Sequence, residues 1–146
     1  MPEKPAKVNL SFEEIVQRFD QAALPDVDAV IGIQTGGRVP AVMCAYRLKC
    51  PLYMLPIHFR DNLNHPEHEE PVLFAEIPQL PPPGQRILLV DDVSVTGKTM
   101  DKAASILVDR YPAIITFVLK GKGDIVLFPE IGNCVNWPWF QGEIRA

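Results

Sequence analysis

The chain has 146 residues, 47% hydrophobic and 22% charged, with a formal net charge of -4. That balance excludes general disorder and a basic nucleic-acid surface, and the length suits one domain spanning residues 1–146. No apolar run approaches the roughly 20 residues of a membrane span. The opening Met1-Pro2-Glu3-Lys4-Pro5-Ala6-Lys7 has no apolar signal core, and Cys44, Cys50 and Cys134 form no C-x-x-C pair. A cytoplasmic protein with reduced thiols is therefore expected, one that binds neither membrane nor nucleic acid.

Residues 11–24 carry Phe12, Ile15, Val16, Phe19 and Ala23 at helical spacing. Ser11 and Glu14 form a capping box, Leu10 and Ile15 a hydrophobic staple, and Pro25 ends the helix. Asp28 to Ile33 is a short apolar run, read as a buried strand. A second helix is expected from about Pro40 to Lys49, with Pro40 in its first turn. Strands follow at Leu52–His58, Val72–Ile77 and Arg86–Val90, the last ending at two acids. A third helix places Met100, Ala103, Ala104 and Leu107 on one face, and Ala113–Leu119 is the last clear strand. Strands alternating with helices imply an α/β fold: a mostly parallel central sheet flanked by helices. Flexible stretches are expected at residues 60–71 and 78–85.

The segment Val90-Asp91-Asp92-Val93-Ser94-Val95-Thr96-Gly97-Lys98-Thr99 is the most informative. An apolar strand meets two acids, and a small polar turn then opens a helix. Ligands of open α/β sheets bind at strand carboxyl ends, and a helix N-terminus favours an anion. Gly97 permits positive φ or close backbone approach. The segment is not a Walker loop, because the earlier glycine is missing. Asp91 and Asp92 suit a ligand that carries hydroxyls and a metal besides phosphate, unless they merely end the strand. Thr35-Gly36-Gly37-Arg38, after the first core strand, offers a second anion turn, with Arg38 adding charge; alone it reads as an ordinary strand-to-helix turn.

The first of these segments resembles the motif of type I phosphoribosyltransferases that binds 5-phosphoribosyl-1-pyrophosphate (PRPP), and the second resembles the family's pyrophosphate loop. The order of elements is similar to that of the small xanthine-guanine and hypoxanthine enzymes, over nearly the whole chain. The resemblance implies the type I fold with a small hood (part of residues 121–146) and a flexible lid (60–71). It implies that Asp91 and Asp92 hold the ribose hydroxyls and magnesium, directly or through water, that Ser94 to Thr99 wrap the 5'-phosphate with Val93 also in the PRPP site, and that Thr35, Gly36, Gly37 and Arg38 hold pyrophosphate. Lys120 matches a lysine that reads a purine oxygen, and Val135 and Trp137 fall in the hood over the base. A solvated strand-end lysine and core packing of Trp137 and Trp139 are the alternatives.

The sequence departs from these relatives in places. Val95 stands where the 6-oxopurine enzymes place an aspartate that handles the purine proton, and valine can neither move a proton nor accept a hydrogen bond. Thr35 replaces a basic residue, and Cys134 a stacking aromatic. In the lid, His65 and His68 invite a metal reading that Pro66 between them weakens, and Arg60 is placed to reach pyrophosphate on closure, as a catalytic residue.

The implied activity is transfer of phosphoribose from PRPP to a nucleobase, a purine by layout, with Mg2+ as cofactor and a homo-oligomer (dimer or tetramer) as the assembly. Two other readings stay open: a PRPP- or nucleotide-binding regulatory protein without transferase activity, and a transferase for a non-purine acceptor.

Overall fold

A computed structural model describes residues 7–34, 36–58, 72–73 and 79–140. The lid, Thr35 and Arg60 lie outside the described residues. The elements in chain order are β1 (Val8–Asn9), α1 (Phe12–Gln21), β2 (Ala29–Gln34), α2 (Arg38–Leu48), β3 (Leu52–His58), β4 (Val72–Leu73), β5 (Arg86–Ser94), α3 (Lys98–Leu107), β6 (Ala113–Gly121), β7 (Ile125–Val126) and β8 (Val135–Asn136), closed by a 3-10 turn at Pro138–Phe140.

Six strands form one sheet in the order β4-β3-β2-β5-β6-β7, parallel throughout except for the antiparallel edge pair β3–β4. Period-two alternation sends successive strand residues to opposite faces. Val30, Leu88, Val90, Phe117 and Leu119 pack under α1 and α2, against Ile15, Phe19, Ala41 and Cys44. Ile31, Ile33, Ile87, Leu89 and Val118 pack under α3, against Met100, Ala103 and Leu107. Both faces are thus covered, as a parallel sheet requires.

The capping box is fully formed: Glu14 N–H donates to Ser11 Oγ (3.1 Å) and Ser11 N–H to Glu14 Oε2 (3.1 Å). Arg47 of α2 donates to the carbonyls of Phe19 and Ala22, closing the other end of α1. Arg18 forks onto Glu130 (3.0 and 2.7 Å) and onto the Leu127 carbonyl, which ties α1 to the C-terminal segment.

The structure corrects the sequence reading at three points and tests a fourth only in part. β5 does not stop at Val90 but runs through both acids to Ser94, because its pairing with β6 continues to Ser94 opposite Gly121. α2 starts at Arg38, which leaves Pro40 still inside the first turn, where its missing N–H costs nothing. Of the strand expected over residues 72–77, β4 accounts for Val72 and Leu73, and residues 74–78 lie outside the described ones. Finally, β1 and β8, absent from the sequence reading, pair in parallel as Val8 with Val135 and Asn9 with Asn136. That pair brings the start of the chain to the hood.

Candidate active site

β2 and β5 are neighbours, but β2 leads through α2 to β3 on one side, and β5 leads through α3 to β6 on the other. The carboxyl ends of these two strands therefore flank the crevice where an open sheet reverses its winding, the position in which such folds take ligands. Three segments meet there: the turn after β2, the turn after β5 and the end of β6.

The end of β5 is held by its own acids. Asp92 N–H donates to Asp91 Oδ1 (2.8 Å), and Val93 N–H donates to Asp92 Oδ1 (2.7 Å). Asp91 is only 7% exposed. Burial pushes its carboxyl well above the usual carboxylate range, and the neighbouring Asp92 pushes it further the same way. A cation or a set of hydroxyl donors at this point would relieve that cost.

The turn after β2 lies against the same acids. A Cβ built on Gly36 would sit 2.6 Å from both carboxylate oxygens of Asp92. Only glycine lets the two turns approach this closely. The turn after β5 ends at Gly97, whose φ of 86° lies in the left-handed region, and Lys98 N–H donates to Thr96 Oγ1 (3.3 Å).

Both site helices share a feature. α2 is capped by Gly37 and α3 by Gly97, neither with a side-chain cap. α1, away from these turns, has its full capping box. Two helix N-termini thus face the crevice with no side chain at the N-cap position, Thr96 Oγ1 engaging only the Lys98 N–H of α3, and such ends attract anions.

Lys120 pairs beside Val93, and beyond it the chain is latched to β5: Lys122 N–H donates to the Ser94 carbonyl (2.7 Å). Gly121 makes this possible with φ 106°, since a Cβ there would lie 2.2 Å from Ser94 O. The Ser94 hydroxyl is buried without a hydrogen-bond partner among the described residues. Sequence reasoning overlooked Gly121 and Lys122; the Gly-x-Gly after Lys120 was the available signal. Val95 stands 60% exposed in the loop.

Asp91, Asp92, Gly36, Gly37, Arg38, the Val93–Thr99 turn and Lys120 are therefore gathered around one crevice. The hood residues are placed differently from the expectation. Val135 is buried in β8, and Trp137, 2% exposed, belongs to the core under α1 and stacks on Trp139 with ring centroids 5.4 Å apart. Core packing is what the structure displays for the Trp137 ring, because the β1–β8 pairing draws this segment inward. A surface groove of about 430 Å3 between α1 and residues 128–131 shares no residue with the crevice.

The donor set fits magnesium in one specific way. Asp91 and Asp92 offer hard carboxylate oxygens, and no group of three or more His, Cys, Asp or Glu able to hold a metal occurs among the described residues. Mg2+ commonly takes one or two carboxylates and completes its shell with water and substrate phosphate.

The family model described as phosphoribosyl transferase domain matches residues 10–140. The chain belongs to this family. It is 34% identical to the bifunctional protein PyrR of Actinobacillus pleuropneumoniae serotype 5b over 103 residues, covering 64% of this chain and 57% of that protein. It is 33% identical to the orotate phosphoribosyltransferase of Aeropyrum pernix over 97 residues, covering 66% of this chain and 47% of that protein. The matches thus span about half the length of these curated relatives. The crystal structure of the purine phosphoribosyltransferase from Pyrococcus horikoshii superposes with a TM-score of 0.71 at 24% identity, covering 91% of this chain and 93% of that one. That likeness shows the fold: the mostly parallel, helix-flanked sheet of this phosphoribosyltransferase family.

Proposed function

We propose that this chain, acting as one domain, transfers 5-phosphoribose from PRPP to a nucleobase with release of pyrophosphate. The observation that carries this reading is the pair of glycine-capped helix N-termini bracketing Asp91 and Asp92 at the winding reversal. One N-terminus suits the 5'-phosphate and the other the pyrophosphate. The acids between them suit the ribose hydroxyls.

In this scheme the Val93–Thr99 turn binds the 5'-phosphate through its amides and hydroxyls. Asp91 and Asp92 accept hydrogen bonds from the ribose and fix C1 against the acceptor. Gly36, Gly37 and Arg38, with Thr35, hold the pyrophosphate as negative charge builds on it. Bound with the substrate, magnesium supplies positive charge for that leaving group, with Asp91 and Asp92 as its protein ligands, direct or through water. Arg60 and the lid close over PRPP and exclude water. Lys120, at the end of β6, reads the base.

The named relatives include purine and orotate enzymes and PyrR, so the acceptor is left as a nucleobase. A homo-oligomer and a cytoplasmic setting belong to the same reading; the exposed Val42 and Tyr46 on α2 and the three free cysteines support them. Calorimetric titration with PRPP and Mg2+, then pyrophosphate release across a panel of bases, tests it. Absence of PRPP binding overturns it. PRPP binding without pyrophosphate release from any base favours the regulatory alternative, which the valine at position 95 motivates.

A further inference from the structure

We infer that Gly121 and the main-chain N–H of Lys122 are positioning groups for the reaction: they clamp Ser94 and so hold the turn after β5 in its phosphate-binding shape before PRPP arrives. This rests on the transferase reading above.

The end of β5 needs such a clamp because it is supported from one side. The β2–β5 ladder stops at Gly32 opposite Val90. The chain after β2 bends away there: Gly37 N–H donates back to the Ile33 carbonyl (2.8 Å), and α2 begins. A Cβ on Gly37 would lie 2.6 Å from the Val90 carbonyl oxygen, so the departing turn sits on the last rung. From Asp91 opposite Val118 to Ser94 opposite Gly121, the ladder partner of β5 among the described residues is β6. A strand end paired on one side opens locally unless its final rung is fixed.

That rung is fixed by main chain. Lys122 N–H reaches the Ser94 carbonyl because Gly121 holds φ at 106°, and a Cβ at position 121 would overlap that carbonyl. The Ser94 hydroxyl takes no share in the task, being buried without a hydrogen-bond partner among the described residues. The far side of the turn after β6 is braced separately. Asp124 Oδ2 accepts from Thr116 N–H (2.9 Å), and Asp124 N–H donates to Thr116 Oγ1 (2.8 Å). The clamp therefore hangs from β6 itself and not from a free loop.

The consequence falls on the turn. Residues 95–97 alone separate Ser94 from α3, which starts at Lys98. At that far end Thr96 Oγ1 accepts from Lys98 N–H (3.3 Å), and Gly97 enters the helix with φ 86°. A span this short, fixed at both ends, has few shapes left to it. Its amides and hydroxyls then meet a phosphate without an ordering cost at the moment of binding, which raises affinity without adding a contact. With the clamp gone, the same residues must be ordered by the ligand.

Gly121→Ala and Lys122→Pro test this together, the first through the overlap with the Ser94 carbonyl and the second by removing the donor. Each is expected to weaken PRPP binding, titrated with Mg2+ in a calorimeter, by roughly tenfold or more. Amide exchange at residues 92–98 is expected to speed up by roughly tenfold or more, while β2 and β3 keep the parent's protection. Lys122→Ala retains the N–H and is expected to match the parent in both measurements. Parent-like PRPP affinity in either clamp variant overturns the inference. So does exchange that accelerates across the whole sheet, since that marks general loss of stability. An equal loss of affinity in Lys122→Ala also overturns it, by assigning the effect to the ammonium group. A parent that binds PRPP while the variants behave in these ways sinks this inference alone, whereas a parent that binds no PRPP removes the transferase reading as well.

Discussion

One methyl group at position 36 is enough to disturb the acids at the crevice. Alanine there would put its Cβ 2.6 Å from both Asp92 carboxylate oxygens, so Asp92 or the turn must move. Gly36→Ala is expected to weaken PRPP binding roughly tenfold or more, as loss of a charge-assisted contact does, and to leave the melting temperature nearly unchanged; calorimetry and thermal unfolding check the two halves. Asp91 makes the opposite trade. Its folded-state pKa is raised, by burial first and by Asp92 second. The unfolded chain therefore releases this proton earlier than the folded one, and stability falls as pH rises from the ordinary carboxylate range toward the raised value. Asp91→Asn removes that loss. The variant should melt higher than the parent at neutral pH, with the gap closing as pH falls toward 4, and should lose PRPP binding. A lower melting temperature at neutral pH would contradict the burial argument.

At the scale of elements, the three helices divide the work by how they begin. α1 caps itself, so Ser11→Ala should cost about 1 kcal/mol in denaturant unfolding and leave PRPP affinity alone. The Arg18–Glu130 fork holds the Glu130 carboxyl down to about 2, chiefly through the hydrogen bonds from Arg18. A depressed carboxylate stabilises above its unfolded value and loses that contribution as pH falls, here from 4.5 to about 2. The pair is exposed, so its share is small; Glu130→Gln should lower stability slightly at neutral pH, with the difference from the parent vanishing as pH falls toward about 2. Much of this layer was legible in the sequence. The capping box, the α3 face and the long strands each follow from periodicity or from one local rule. The continuation of β5 through Asp91 and Asp92 was not, because acids read as strand ends until a partner strand is seen beside them. Two-residue strands such as β1 and β8 are too short to show alternation at all.

For the whole molecule, the crevice is a product of strand order. The chain announces each anion turn separately, but nothing local says that Gly36 touches Asp92 or that Ser94 anchors Lys122; those contacts come from the register of β2, β5 and β6. The tryptophans show the same limit in reverse. Their position after β8 suggests a base cover, whereas the β1–β8 pairing turns Trp137 into core. Trp137→Ala is accordingly expected to cost about 3–5 kcal/mol of stability, read by chemical denaturation. A change confined to acceptor KM, with stability intact, would return Trp137 to the base site.

The β1–β8 ladder also sets a timetable. Asn9 and Asn136 hydrogen-bond across 127 residues of sequence. During synthesis β1 has no mate until Val135 and Asn136 have left the ribosome, whereas β2, β3 and β5 can already pair. The segment ahead of α1 therefore waits, leaving Leu10 and the apolar side of α1 uncovered until β8 arrives. The central sheet can thus form before the β1–β8 ladder, and a ribosome stalled before Cys134 would hold a chain in which β1 has not yet met its partner.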